Sequence, residues 1–328
     1  MSFPSLLQRF FTDRLLGQLG ASPHTVAAYR DAFRLLLRFA AEHLGRVPSE
    51  LRLEDLDVSF LRKFLEHLEG ERRNCTRTRN NRLFALQSFF RYVAFSEPAL
   101  ALHCQRVLAI PAKRYARGPV EFLTEDETKA LVAAPDPGTW IGRRDRVLLL
   151  VATQTGLRNS EITSLRCQDV ECGTGAHVRC LGKGRKMRCT PLRQDVAAAL
   201  KKWLSERGGG PQDPVFPSSR STRLSADALQ RLVARHAAAA RQSCPSLTGK
   251  TVTPHTLRHS AAMDLLRRRV DLSVIALWLG HESTETTQIY LHADMRLKEQ
   301  ALAHATACGL VPDRYLPPDP LLTFLESL

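Results

Sequence analysis

The chain has 328 residues, enough for two domains with cores of their own, and carries 47 Lys and Arg against 33 Asp and Glu, a formal net charge of +14. A cationic excess of that size suits a polyanionic partner such as nucleic acid. No apolar run reaches the length of a bilayer crossing, and an N-terminus interrupted by Arg9, Asp13 and Arg14 lacks an export signal, so a cytoplasmic protein without a membrane partner is expected. The eight cysteines contain no C-x-x-C pair, and Cys167, Cys172, Cys180 and Cys189 with His177 lack the close pairing of structural zinc, so reduced thiols are expected.

Residues 1–108 read as an all-helical domain. Segments near Pro4–Leu19, Ser22–Leu44, Leu56–Glu69 and Arg77–Phe95 carry apolar residues at helical spacing, separated by polar or Gly/Pro breaks. In the second segment Val26, Phe33, Leu37 and Ala40 form a core stripe, and Arg30, Arg34 and Arg38 run along its edge at i, i+4. The fourth opens through Arg77, Arg79 and Arg82 before turning apolar at Leu83, Leu86 and Phe89. Two basic edges on one small helical domain favour a DNA-facing surface. Residues 109–121, with Pro111, Lys113, Arg114 and Gly118, read as a basic linker able to follow a phosphate backbone.

Thr124-Glu125-Asp126-Glu127 is a capping box opening a second domain, 122–310. Helices near 125–134, 143–154, 159–166, 194–206 and 225–242 are expected around one hairpin, His177–Leu181 and Met187–Leu192, turned by Gly182-Lys183-Gly184-Arg185-Lys186. Thr253-Pro254 starts a further helix, and on it His255, Arg258 and His259 share one face. Asp271 caps the apolar helix Leu272–Leu279, which Gly280 ends, placing His281 at a tight corner before a last helix that carries Tyr290. An amphipathic stretch, Met295–Ala307, and a tail, 311–328, with apolar residues behind Pro317, Pro318 and Pro320 complete the chain; the tail suits docking in its own domain or in a neighbouring protomer.

Arginines, histidines and a tyrosine at turn-defined positions suit a negatively charged centre. Arg158 in Thr155-Gly156-Leu157-Arg158-Asn159-Ser160-Glu161, Lys183 in the hairpin, His255-x-x-Arg258, Leu279-Gly280-His281 and Tyr290 nine residues later form one ordered set. In that set the chain resembles the tyrosine recombinases of the phage-integrase family, closest in layout to Xer-type and mobile-element members. The resemblance implies a mainly α fold with a small antiparallel β-sheet in the C-terminal domain, an N-terminal all-helical core-binding domain followed by the catalytic domain.

It also implies site-specific cutting and rejoining of double-stranded DNA through a 3′-phosphotyrosyl intermediate and a Holliday junction. Since the ester conserves the bond energy, neither metal nor ATP, and hence no cofactor, is expected. The assembly implied is a tetramer of like protomers on paired sites, or a hetero-assembly with a related recombinase. Arg158 and Arg258 are then phosphate ligands, because guanidinium stays charged and matches two oxygens. His255 and His281 donate hydrogen bonds, Tyr290 attacks, and Lys183, in preference to Lys186, protonates the leaving 5′-oxygen. Glu161 is expected to orient the Arg158 turn and His259 to brace its helix. A DNA-binding accessory protein that does not cut, and a type IB topoisomerase-like relaxing enzyme, are the competing readings.

Overall fold

A computed structural model describes residues 2–116, 120–182, 187–280, 287 and 290. It divides into two compact units, residues 1–118 and 119–328. The first is helical: α1 (Phe3–Arg9) runs into a π-helical stretch (Phe10–Gln18), followed by α2 (Pro23–Leu44), α3 (Val58–Gly70), α4 (Thr76–Ser96) and α5 (Ala101–Leu108). Ser22 and Asp57 cap α2 and α3 through their side-chain oxygens, and Gly45 ends α2 in the left-handed conformation. The core is aromatic. Phe89 meets Phe10 and Phe33 edge to face at centroid separations of 5.5 and 5.3 Å, and Leu36, Leu61, Phe64 and Phe90 are fully enclosed around them.

Two features of this unit differ from the sequence expectation. No helix is foreseen over residues 101–108, where α5 lies against α4 and buries Cys104 and Val107. The second concerns the linker, whose first residues are tied to α4. Asn80 exchanges bonds with Lys113 (Nδ2 to the carbonyl 2.8 Å, backbone N–H to Oδ1 3.1 Å), and Gln87 Nε2 donates to the carbonyls of Leu108 and Ile110. Arg79, expected at a DNA-facing edge, is 6% exposed and donates to Asn80 Oδ1 and the Pro111 carbonyl. That assignment is corrected: a helix of period 3.6 turns position 79 inward while Arg77 stays outside.

The second unit surrounds α7 (Trp140–Thr155) with α6 (Glu125–Ala133), α9 (Gln194–Arg207), α10 (Ala226–Ala240) and α11 (Pro254–Arg267), with α8 (Asn159–Ser164) and α12 (Leu272–Leu279) completing the described helices. Its antiparallel sheet has the order β1 (Val170–Glu171), β2 (His177–Leu181), β3 (Met187–Pro191), the first strand being one the sequence reading omits. The β2–β3 register pairs Cys180 with Arg188 and Val178 with Thr190. Leu148, Val151, Val178, Leu200, Trp203 and Val233 fill the core, while α12 packs Ile275 and Leu279 against Met263, Leu266 and Tyr290. The helix-start assignments at Thr124, Thr253 and Asp271 all match the capping bonds observed. Among the described residues no helix is long and apolar enough to cross a membrane.

A buried ion cluster locks α7 to α10. Asp145, fully buried, receives Arg144 at 2.6 and 2.9 Å on Oδ1, with Arg235 and His236 Nε2 each 2.8 Å from Oδ2. Burial alone would raise the Asp145 carboxyl; the His236 hydrogen bond and the Arg144 charge hold it below its ordinary value. Asp145→Ala would leave the Arg144 cation, 5% exposed, without its countercharge, and is expected to cost about 3–5 kcal/mol in urea denaturation. Because the folded carboxyl titrates below the unfolded one, its stabilisation is present above the unfolded value near 3.8 and disappears as pH falls through the folded one. Denaturation midpoints measured downward through that range should therefore fall more steeply for the native protein than for Asp145→Asn.

Candidate active site

Two helix ends build the site. Both α7 and α12 stop at glycines in the left-handed conformation, Gly156 (φ 63°) and Gly280 (φ 65°), and the last carbonyls of such helices have no partner within the helix. Arginines fill that need. Arg258, on the buried face of α11, donates from Nη1 to the Gly156 carbonyl and from Nη2 to the Leu279 carbonyl, each at 2.7 Å. Arg158, the residue before α8, donates from Nη2 to the Gly280 carbonyl at 2.8 Å. The partial negative charge at two helix C-termini thus holds two guanidiniums side by side, and each terminal nitrogen has a second N–H to offer.

Close packing explains Gly156. A Cβ there would lie 2.6 Å from Leu279 Cδ2 and 3.1 Å from Ala261 Cβ. Gly156→Ala is expected to lower stability by about 1–3 kcal/mol, from overpacking and an unfavourable positive φ, measurable as a lowered melting temperature.

Glu161 lies beneath the arginines, with 3% of its side chain exposed. Its Oε2 caps α8 by accepting the Arg158 backbone N–H at 2.7 Å, and Oε1 accepts Arg158 Nη1 at 3.0 Å. Arg188 of β3, which the sequence reading passes over, forks onto the same carboxylate at 2.8 and 2.6 Å. Burial would raise the Glu161 carboxyl, but the hydrogen bonds from Arg188 and the Arg158 N–H keep it below the usual range. Arg258 is more affected: burial, reinforced by the neighbouring Arg158 charge, lowers it to about 10.

Tyr290 is 1% exposed, and its hydroxyl is 2.9 Å from Nδ1 of His259. Burial pushes the phenol up to about 12, against the pull of the Arg258 and Arg158 charges. His255 is exposed and stacks edge-on against His259, with ring centroids 4.2 Å apart. His259, expected to brace its helix, thus makes a contact with the tyrosine. Positions i and i+4 share a face, but only the packing of Tyr290 decides which of them it meets. Arg158, Glu161, Arg258, His259 and Tyr290 converge here; Lys183, Lys186 and His281 lie outside the described residues.

On the first unit, Arg30, Arg34 and Arg38 are exposed along α2, the first two near Asp31 at 3.2 and 3.8 Å. Arg77 and Arg114 are exposed, Arg82 is half-buried, and Lys113 Nζ pairs with Glu69 at 2.5 Å.

Residues 121–296 match the model of the phage integrase family, and residues 8–95 that of the phage integrase N-terminal SAM-like domain. The chain is 52% identical over 327 residues to "Putative integrase/recombinase y4rC" of Sinorhizobium fredii, covering 100% of this chain and 98% of that one. It is 34% identical over 293 residues to the tyrosine recombinase XerC of Pelobacter propionicus, covering 89% and 92%. Among solved structures, the XerH site-specific recombinase bound to a palindromic difH substrate shares the fold, with a TM-score of 0.70 at 24% identity over 87% of this chain and 81% of that one. The SAM-like helical unit, the helical unit with its small sheet and these relatives together establish that the chain belongs to the phage integrase family of DNA-recombining tyrosine recombinases.

Proposed function

We propose that the chain recombines double-stranded DNA at a specific sequence, with Tyr290 as nucleophile and Arg158 and Arg258 as the ligands of the scissile phosphate. The observation that carries this reading is the enclosed Tyr290 hydroxyl, 2.9 Å from His259 Nδ1 and acted on by the charges of Arg258 and Arg158. A phenol raised to about 12 is protonated at neutral pH, so attack needs a base and a field that favours phenolate. His259 supplies the first when its Nδ1 is unprotonated, and the arginines the second.

In the step, the tyrosine oxygen bonds to phosphorus, the phosphorus–O5′ bond breaks, and Lys183 protonates the departing oxygen. His255 and His281 donate to the non-bridging oxygens, whose charge the guanidiniums stabilise. The 3′-phosphotyrosyl ester keeps the bond energy for rejoining, so no metal or ATP enters. Exchange of strands in pairs through a Holliday junction follows on a tetramer of this chain, or on an assembly with a related recombinase. Residues 1–108 act as the core-binding domain, with Arg30, Arg34, Arg38 and Arg77 toward the backbone and Arg114 in the 109–121 linker. Residues 122–310 are catalytic, and the tail 311–328 docks on its own domain or on a neighbouring protomer.

The test is denaturing capture of protein–DNA adducts from expressing cells, lysed in chelator, with sequencing of the attached ends. Attachment through a 3′ phosphate at one recurring sequence is expected. A plasmid bearing two copies of that sequence should then yield recombinant joints, and a plasmid bearing one copy should not. Relaxation of a plasmid lacking the sequence would identify a topoisomerase instead, and DNA retained without any covalent attachment would identify an accessory binding protein.

A further inference from the structure

The Arg188–Glu161 pair is not accounted for by the phosphate ligands, the nucleophile or the general acid. Glu161 has about four acceptor positions on its two oxygens, and all are used: the Arg158 backbone N–H, one side-chain bond from Arg158, and two from Arg188. The two arginines are unequal partners. Arg188 contributes the shorter, forked contacts at 2.6 and 2.8 Å from a side chain 12% exposed. Arg158 contributes a single contact at 3.0 Å from a side chain 30% exposed, and turns its other nitrogen to the Gly280 carbonyl.

A buried carboxylate draws the nearest guanidinium into a two-bond pair, because unmatched charge is costly there. Arg188 occupies that position. Its guanidinium also lies against the Gly280 corner, where a Cβ would approach Nη1 to 2.7 Å, and its strand returns directly from the hairpin tip. One residue therefore touches the countercharge of Arg158 and the corner whose carbonyl holds Arg158.

We infer that Arg188 is a positioning residue for strand cleavage: by neutralising Glu161 it limits that carboxylate's hold on the Arg158 guanidinium to one side-chain bond and leaves the rest of the Arg158 charge to the scissile phosphate. This rests on the reading of Arg158 as a phosphate ligand. What separates it from a purely architectural ion pair is the readout: the loss and its relief on removing the Glu161 charge should appear in the cleavage rate while duplex affinity holds.

The experiment is single-turnover cleavage by the full chain of a nicked duplex carrying the sequence recovered by adduct capture, with noncovalent affinity for the intact duplex measured alongside. Arg188→Met is expected to slow adduct formation about tenfold or more while changing duplex affinity by less than about twofold, and Glu161→Gln added to it should restore at least about threefold of the loss, the coupling expected of groups in one network. Arg188→Lys, which keeps the charge but loses the fork, should fall between native and Arg188→Met, and it carries the test should the methionine variant not fold. Native-like cleavage by Arg188→Met, or further slowing on adding Glu161→Gln, would overturn the inference while the recombinase reading stands. Failure of the native chain to form any adduct on that duplex would overturn both.

Discussion

Phenylalanine at position 290 is expected to remove every covalent protein–DNA adduct while noncovalent DNA affinity stays within about twofold, since the substitution deletes the proposed attacking atom and little else. Tyr290 is 1% exposed, and its ring packs with Ala262, Met263, Leu266, Ile275 and Leu279, so phenylalanine keeps the apolar contacts. What is lost is the oxygen beside His259 Nδ1. Some change in stability follows from losing this hydrogen bond, on the order of 1 kcal/mol, too small to mimic a loss of cleavage through unfolding. The check is adduct capture on the variant beside a filter-binding or gel-shift titration. Adducts persisting on Tyr290→Phe would move the nucleophile to another residue.

Arg258→Ala is expected to slow strand cleavage by about two to three orders of magnitude or more, the range for removing one preorganised charge stabiliser. It carries a second cost. The guanidinium is 3% exposed and satisfies the carbonyls of Gly156 and Leu279 together, so its loss orphans both helix ends, each at about 1–3 kcal/mol. Arg258→Lys separates the two effects, because an ammonium keeps the charge but lacks the fork that spans both carbonyls. Cleavage rates and melting temperatures of the two variants should therefore diverge, alanine losing both and lysine recovering more rate than stability. With burial lowering it to about 10, Arg258 remains charged at neutral pH, and the rate should show no loss from its titration until the pH nears that value. A falling rate near neutrality must come from another group.

Local signals were legible wherever one turn of chain decides the outcome. Caps at Thr124, Thr253 and Asp271, the glycine stop at Gly280, and the alternation that makes β2 and β3 depend on neighbours within four residues, and the structure has each of them. Arg258 and Tyr290 stand at turn-defined positions that suit an anionic centre, Arg158 joins them through the family resemblance, and all three lie in one unit. Helix phase was harder. Arg77 and Arg79 read alike as basic residues, yet one is exposed and the other ties the linker to α4.

The order of elements, the cationic character and the residue types of the site belong to the sequence, because capping, periodicity and charge are properties of short stretches and simple sums. The partners belong to the tertiary structure. That Arg188 supplies two of the three side-chain bonds to Glu161, that His259 reaches Tyr290, and that Arg258 links two helix ends all join residues 21 to 102 positions apart. Each of these choices is made by burial. Once water is excluded, every carboxylate and orphan carbonyl must take the nearest donor the fold supplies, and which donor is nearest is a matter of packing.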